Sequence, residues 1–315
     1  MDILNVIFNI LTSGLPCCLL AIGVFLTFRL LDFADMTAEG SFLLGAALTA
    51  SLIYNGINPF GATIIGMLVG VACGIVTGIL NRILKIPKLL SGIITLTASA
   101  SIALLIMGIT NPNDLFATQV PLTGEGVQTI FNVFYPGNEW NRLVETIVML
   151  IIVFVVIIAI YYFFGTEYGM AIRATGMNEK MARSQGINTN ISTITCIAIS
   201  NGLIALAGAL YVQDALSVST VSATGYLVIG LASILIGEAI FGKRSFKNWL
   251  ISVALGAILY FTIITIAIKL GLPTQFKSLL YAVLITIALC IPLMRSGITN
   301  LIKNSKRRKD KDVGA

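Results

Sequence analysis

Residues 167–213 read EYGMAIRATGMNEKMARSQGINTNISTITCIAISNGLIALAGALYVQ, and they decide how the chain is organised. About twenty uncharged residues rich in Ile and Val precede this stretch at 147–165, and residues 191–212 carry no charge. A membrane-spanning helix needs about 20 apolar residues, so each run is long enough to cross a bilayer. A short polar segment therefore lies between two predicted membrane spans.

The polar segment has the signals of a short helix. Asn178 is placed to cap the helix, Glu179 falls in its first turn, and Gly186 marks its end. The charged residues of the segment are Arg173, Glu179, Lys180 and Arg183. These features predict an ordered docking element rather than a loose loop.

Two motifs resemble one family of transport proteins. The run RATGMNEKMARSQGIN at 173–188, followed by an apolar span ending in ALAGALY, resembles the cytoplasmic coupling segment of ABC importer permeases of the branched-chain amino acid and ribose type. The run FADMTAEGSFLLGAALTASL at 33–52 resembles the second-span motif of a branch of amino-acid (tryptophan- or tyrosine-like) transporter permeases. With the spans between these motifs, the resemblance covers nearly the whole chain.

The resemblance implies a function and a set of partners. It implies a permease subunit that passes a small solute, such as an amino acid, delivered by a substrate-binding lipoprotein at the outer face. A separate ATPase would bind the ATP, so no cofactor is expected in this chain, and a second permease copy would complete a homodimer. The residues that it assigns to coupling with the ATPase are Arg173, Asn178, Glu179, Lys180, Met181, Ala182, Arg183 and Gly186.

Composition points independently to a polytopic membrane protein. Apolar residues make up 57% of the chain and charged residues 11%, with a mean hydropathy of +0.95, whereas soluble domains carry roughly 25% charged residues. Histidine is absent, which excludes His-based triads and His metal sites. No CxxC pair occurs, and every cysteine falls in an apolar stretch, so we expect packing roles and no metal: Cys17, Cys18, Cys73, Cys196 and Cys290.

The apolar runs predict an all-α protein with about nine membrane spans, within a range of eight to ten. The spans are placed near 3–28, 37–54, 60–81, 91–109, 143–164, 191–213, 225–241, 249–268 and 278–294. Residues 1–300 are predicted to form a single permease domain with a coupling loop at 165–190. Residues 301–315 form a basic cytoplasmic tail that favours anionic lipid headgroups, with nucleic acid as the weaker alternative.

The distribution of Lys and Arg sets the orientation. If the tail faces the cytoplasm, 17 of the 20 basic residues lie inside, and only Arg142, Lys269 and Lys277 lie outside. The inside positions are 29, 82, 85, 88, 173, 180, 183, 243, 244, 247, 295, 303, 306, 307, 308, 309 and 311. The N-terminus is therefore predicted to face out and the coupling loop to face the cytoplasm of a bacterial cell.

A faint internal repeat relates residues 37–53 to residues 222–238 with a constant offset of 185. Four identities carry it, although apolar segments also match by chance: Ala38 with Ala223, Gly40 with Gly225, Gly45 with Gly230, and Ala47 with Ala232. The copies open the second and the seventh span, so they should run in opposite directions, as in inverted-repeat transporters. The junction of the copies then predicts the residues that border the substrate path: Asp35, Glu39, Phe42, Thr224 and Tyr226.

The stretch at 29–39 allows two interpretations. Arg29, Asp32, Asp35 and Glu39 lie between two apolar spans in about ten residues, and carboxylates near hydrocarbon need partners or water. Either the stretch breaks the helix and lines the pathway or its gate, or it is a charged cytoplasmic turn in which Arg29 pairs with Asp32 or Asp35.

Small and hydroxylated residues predict helix packing. Gly66, Gly70, Gly74 and Gly78 recur every four residues, which lets another helix approach closely. The hydroxyls of the fourth span either line a path or bond to their own helix: Thr95, Thr97, Ser99 and Ser101.

Other function classes fit the sequence less well. The run GEAIFGK at 237–243 begins like a P-loop, but Arg244 stands where Ser or Thr must hold magnesium and no strand precedes it. A membrane enzyme would need convergent ionisable groups within its spans, and none is evident, so no catalytic residue is predicted. An ion-coupled secondary transporter stays the alternative, but it has no need for a coupling helix.

Overall fold

The structure is a computed structural model of the chain, and it describes residues 3–110, 119–122, 129–131, 141–220 and 225–269, with positions 283 and 286. The helices in these ranges are α1 Ile3–Phe25, α2 Thr37–Tyr54, α3 Pro59–Arg82, α4 Lys88–Thr110, α5 Asn141–Phe163, α6 Glu167–Met177, α7 Glu179–Ser184, α8 Thr189–Ala215, α9 Tyr226–Phe241 and α10 Phe246–Lys269. Two three-residue strands, β1 Gln119–Pro121 and β2 Ser217–Ser219, pair antiparallel.

The long helices confirm an all-α polytopic membrane protein. Six stretches are long and apolar enough to cross a bilayer, namely Ile10–Leu30, α3, α4, Leu143–Phe163, α8 and α10. With the shorter α2 and α9, they account for the first eight predicted spans, and the ends of the corresponding helices, with α1 at Ile3–Phe25, lie within three residues of the predicted ends. The ninth span, at 278–294, falls outside the described residues, so the total number of spans stays a prediction.

Helices α1 and α8 form the centre of the bundle. In their most apolar windows, 89% of α1 and 78% of α8 is buried, against 22% in α5 and 28% in α4. The inner helices therefore carry the protein core, whereas the outer ones present apolar side chains to the lipid.

The glycine face of α3 lies where this helix crosses α2 and α8. A Cβ at Gly74 would lie 2.5 Å from the carbonyl oxygen of Ile197 and 2.7 Å from the Cα of Ala198. Gly66, Gly70 and Gly78 meet their neighbours in the same way. The backbones approach closely because no side chain intervenes.

The hydroxyls of α4 bond to their own helix. Thr95, Thr97, Ser99 and Ser101 each donate to a carbonyl of α4, which favours the packing interpretation.

The chain breaks between α1 and α2. Helix α1 continues as a π-helical turn at Leu26–Leu30, Asp32 has a φ of +50°, and α2 starts only at Thr37. Its start is deep in the bundle, because Ser41 donates to Asn201 (2.7 Å), the thirteenth of the 27 residues of α8. The stretch at 29–39 thus breaks the helix, with Arg29 and Asp32 exposed and Asp35 buried, and its role in lining a path stays a prediction.

The predicted copies run in opposite directions. Helix α2 runs alongside α8 in the same sense, with Ser41 beside Asn201 and Gly45 beside Ala205. Helix α9 runs in the same sense as α1, since Gly230 packs on Leu20 and Glu238 reaches Arg29. Because α1 and α8 are antiparallel, with Ser13 bonded to Asp214 and Ser200 to Gly23, α2 and α9 are antiparallel too.

Candidate functional site

The polar segment after α5 is a pair of helices, α6 and α7, and a side chain caps the start of each. The Thr166 hydroxyl accepts the Gly169 N–H at 3.2 Å at the start of α6, and the Asn178 side chain accepts the Met181 N–H at 3.1 Å at the start of α7. Gly186 follows the end of α7 and has a φ of +81°. No atom lies within 4 Å of the position that a Cβ would take, so the backbone angle alone favours glycine there. The predicted helix is therefore formed at the predicted residues.

Glu179 ties α7 to the transmembrane bundle. One of its carboxylate oxygens accepts from Arg82 on α3 at 2.7 Å, from Arg183 at 3.0 Å and from the Thr189 hydroxyl at 3.3 Å. Burial raises the pKa of Glu179, but the attraction of Arg82, with help from Thr189 and Arg183, outweighs it and holds the pKa below its ordinary value. The carboxylate is therefore ionised at neutral pH and acts as an anchor.

The eight predicted coupling residues divide by exposure. The side chain of Ala182 is buried against the permease, with 3% of its surface exposed, whereas Met181 is 62% exposed. Arg173, Lys180 and Arg183 are exposed as well. Met170 and Met177 extend the same apolar character along α6, with 52% and 89% exposed. An exposed, adaptable methionine surface on a capped helix is suited to binding another protein.

A basic cleft lies beside α7. It has a volume of about 450 Å³ and is lined by the α3–α4 connection and by α7 and α8, at Asn81, Arg82, Lys85, Ile86, Pro87, Lys88, Arg183 and Asn190. Its charge is complementary to an acidic partner surface.

The helix pair also contacts the broken end of α1. A Cβ at Gly176 would collide with the carbonyl oxygen of Leu30, so α6 lies directly against the π-helical turn. Arg29, which lies within this turn, pairs with Glu238 of α9. Glu238 also accepts a hydrogen bond from the Trp249 indole N–H at 2.8 Å. The pairing of Arg29 with Asp32 or Asp35 that the sequence allowed is therefore wrong.

The starts of α2 and α9 meet inside the bundle. Glu39 accepts the N–H of Gly225 at 3.0 Å, and the Phe42 ring stacks on Tyr226 with centroids 4.0 Å apart. Tyr211 of α8 closes this aromatic cluster, 5.5 Å from Tyr226. Three predicted path residues, Glu39, Phe42 and Tyr226, thus come together, and Thr224 lies outside the described residues.

Asp35 lies apart from the aromatic cluster. Its carboxylate is buried and accepts from the Thr37 N–H at 2.9 Å and from the Asn201 side chain at 2.7 Å. All of these partners are neutral, and they fix the break before α2, so a place for Asp35 on the substrate path stays a prediction.

Sequence reasoning missed three residues of these sites. Arg82 belongs to a basic cluster, but spacing does not reveal which carboxylate it meets. Asn201 is a lone amide in an uncharged span, a signal that points to a polar contact within the membrane. Tyr211 stands in the ALAGALY run, where it reads as an apolar span end.

Comparisons with known proteins agree with this architecture. The profile of the family described as "Branched-chain amino acid transport system / permease component" matches residues 6–289. A tyrosine transport system permease protein of Clostridioides difficile is 36% identical over 280 residues, covering 89% of this chain and 88% of the relative. A ribose import permease protein of Bacillus subtilis is 24% identical over 298 residues, covering 94% and 86%.

A fructose import permease protein of Bifidobacterium longum is 26% identical over 278 residues, covering 87% of this chain and 73% of the relative. No solved structure matches the chain.

Proposed function

This chain belongs to the family of branched-chain amino acid transport permease components, and from this premise we propose that its α6–α7 pair is the surface on which a separate ATPase docks. The chain is the membrane-spanning permease subunit of an ABC importer. The ATPase binds and hydrolyses the ATP, and the permease itself contributes no ATPase site and no cofactor. A substrate-binding protein delivers the solute.

The exposed methionine face of the capped helix pair carries this proposal. Met177 and Met181 present exposed apolar surface on this segment. Glu179 holds the segment through Arg82, so force applied to α7 is passed to α3. Within this proposal Lys180, Met181 and Arg183 contact the ATPase, whereas Arg173 lies over Phe246 and holds α6 against the start of α10. Asn178, Glu179, Ala182 and Gly186 hold the helix in place instead.

We infer that the solute is an amino acid with an aromatic side chain. The tyrosine transport relative and the Phe42, Tyr211 and Tyr226 cluster beside Glu39 support this inference. Glu39 suits the ammonium group of such a solute, and the rings suit its side chain. Weak contacts of this kind allow fast release.

The assembly and its orientation complete the proposal. Two copies form a homodimer in the plasma membrane, each with its N-terminus outside and its C-terminus in the cytoplasm. The substrate-binding lipoprotein contacts the outer connection at 110–142.

The docking surface is tested in the permease–ATPase complex with its binding protein, reconstituted in proteoliposomes. Met181→Glu should reduce the affinity for the ATPase by about thirtyfold or more, the range of an interface hot spot, and reduce ATP-driven uptake of labelled tyrosine. Ile57→Glu is the matched control, because Ile57 is also an exposed apolar residue (42%) but lies at the opposite end of the bundle. Unchanged ATPase binding in Met181→Glu would overturn the docking surface. Uptake driven by an ion gradient without ATP would support the secondary transporter instead.

A further inference from the structure

An apolar groove runs along the bundle between α5 and α10. Its floor is α1, where Leu15 and Cys18 are buried and the Cys18 thiol contacts the Ala254 carbonyl at 3.3 Å. Its walls are exposed apolar residues, Leu150 and Phe154 on α5 and Leu255 on α10. The groove encloses about 620 Å³, a volume typical of ligand sites.

A polar pocket of about 590 Å³ continues from one end of the groove. The two cavities share Tyr161, Tyr162 and Lys247, so together they form one elongated site. The pocket adds Arg173 of α6 and the hydroxyl-bearing Thr166 and Ser245. The site thus changes from hydrocarbon-like to cationic and hydrogen-bonding along its length.

The two positive charges of the pocket, on Arg173 and Lys247, form no ion pair with a carboxylate in the described part of the chain. Arg173 lies over the Phe246 ring, 4.7 Å from its centroid, which orients the guanidinium while leaving its N–H donors available. Among the described residues, no carboxylate lies within 4.0 Å of Arg173 or Lys247. The pocket is therefore complementary to an anion.

We propose that this site binds one anionic phospholipid of the cytoplasmic leaflet. Its acyl chains lie in the α5–α10 groove and its phosphate lies between Lys247 and Arg173. Basic pockets between helices at the cytoplasmic surface recognise anionic headgroups, and tyrosines favour the same interfacial level. The lipid bridges α6, which belongs to the docking segment, and α10, so it links the coupling surface to the composition of the membrane.

The proposal is tested by native mass spectrometry of the purified full-length permease, with dioleoyl phosphatidylglycerol and dioleoyl phosphatidylcholine as the probes. Phosphatidylglycerol should be retained in preference, and Lys247→Gln should lower its retention about fivefold, the contribution of one basic residue at a membrane surface. Lys269→Gln removes the same charge from the opposite end of α10 and should leave retention unchanged. Equal retention of both lipids, or an equal loss in both variants, would overturn the site.

A photocrosslink identifies the occupant. With benzoylphenylalanine in place of Leu150, the adduct should have the mass of a phospholipid. An adduct with residues 278–294 of the same chain, or with a second copy, would show that protein fills the groove and would refute the proposal. Both measurements are independent of transport, so a failure of the lipid site and a failure of the proposed docking surface give different results.

Discussion

At the scale of single residues, Glu179 shows how one charge positions a functional segment. Helix α7 has only six residues, and helices this short are marginal in isolation. Three donors converge on one oxygen of Glu179, from α3, from α7 itself and from the start of α8. The position of α7 therefore depends on the ionised state of this carboxylate.

This dependence predicts how α7 responds to pH. The pKa of Glu179 is lower in the folded protein than in the unfolded chain, where it is about 4.3. The contacts of Glu179 therefore stabilise the fold fully above the unfolded pKa. This stabilisation is lost as the pH falls through the pKa of Glu179 in the folded protein. Hydrogen exchange over residues 179–189 should be protected equally at pH 6 and pH 8, after correction for the intrinsic rate, and lose protection below about pH 4.

The Glu179→Gln variant is the control for this pH response. It keeps the shape of the side chain but lacks the charge, so it should show reduced protection at all of these pH values. High salt should reduce the difference between the variant and the native protein, because the ion pairs are partly exposed. Equal protection of both proteins at pH 7 and low salt would contradict the anchoring role.

At the scale of elements, the contact of α3 with α8 depends on the absence of side chains. A methyl group on Gly74 would lie 2.5 Å from the Ile197 carbonyl oxygen and 2.7 Å from the Ala198 Cα, and both of these atoms belong to the backbone of α8. Hydrophobic association is weak between helices in lipid, so close packing supplies the stability.

We therefore expect Gly74→Ala to destabilise the purified protein by about 1–3 kcal/mol, the usual cost of overpacking. Gly61→Ala is the matched control, since Gly61 lies in the same helix with open space around its Cβ position, and there the change should be neutral or slightly stabilising. Thermal unfolding of the two variants in detergent would compare them. Equal unfolding temperatures would show that α3 and α8 separate at little cost.

The elements were predictable, but their partners were not. Long apolar runs give the spans because every backbone polar group in lipid must be satisfied within a helix. Asn178 and Gly186 predicted where α7 begins and ends, because helix capping depends only on residues close in sequence. Arg29 meets Glu238 because α1 packs against α9. The two residues are 209 positions apart in the sequence, and no local pattern encodes a contact over that separation.

At the scale of the whole molecule, a continuous path of contacts joins the docking segment to the junction of the helix starts. Gly176 of α6 lies on the Leu30 carbonyl, and the π-helical turn leads into the break that Asp35 fixes before α2. Glu39 and Phe42 of α2 then meet the start of α9. A displacement of α6 would therefore reach the proposed substrate path along these contacts.

Apart from Arg142 and Lys269, the basic residues of the described chain lie at one end of this bundle, and this distribution supports the predicted orientation. Arg82 meets Glu179, Lys88 donates to the Asp32 carbonyl, and Arg173 lies on Phe246, so the four connections that hold ten of the twelve basic residues of the described chain share one side. The positive-inside rule places this side in the cytoplasm.

Cysteine labelling tests the orientation in a background without the native cysteines. Ser184→Cys, in α7, should be protected from an impermeant maleimide in intact cells and react after permeabilisation, because the reagent then reaches the cytoplasm. Asn55→Cys, in the exposed turn between α2 and α3, should react in intact cells. The reverse pattern would place α7 outside, where no ATP is available. It would then refute the orientation and the docking of an ATPase together.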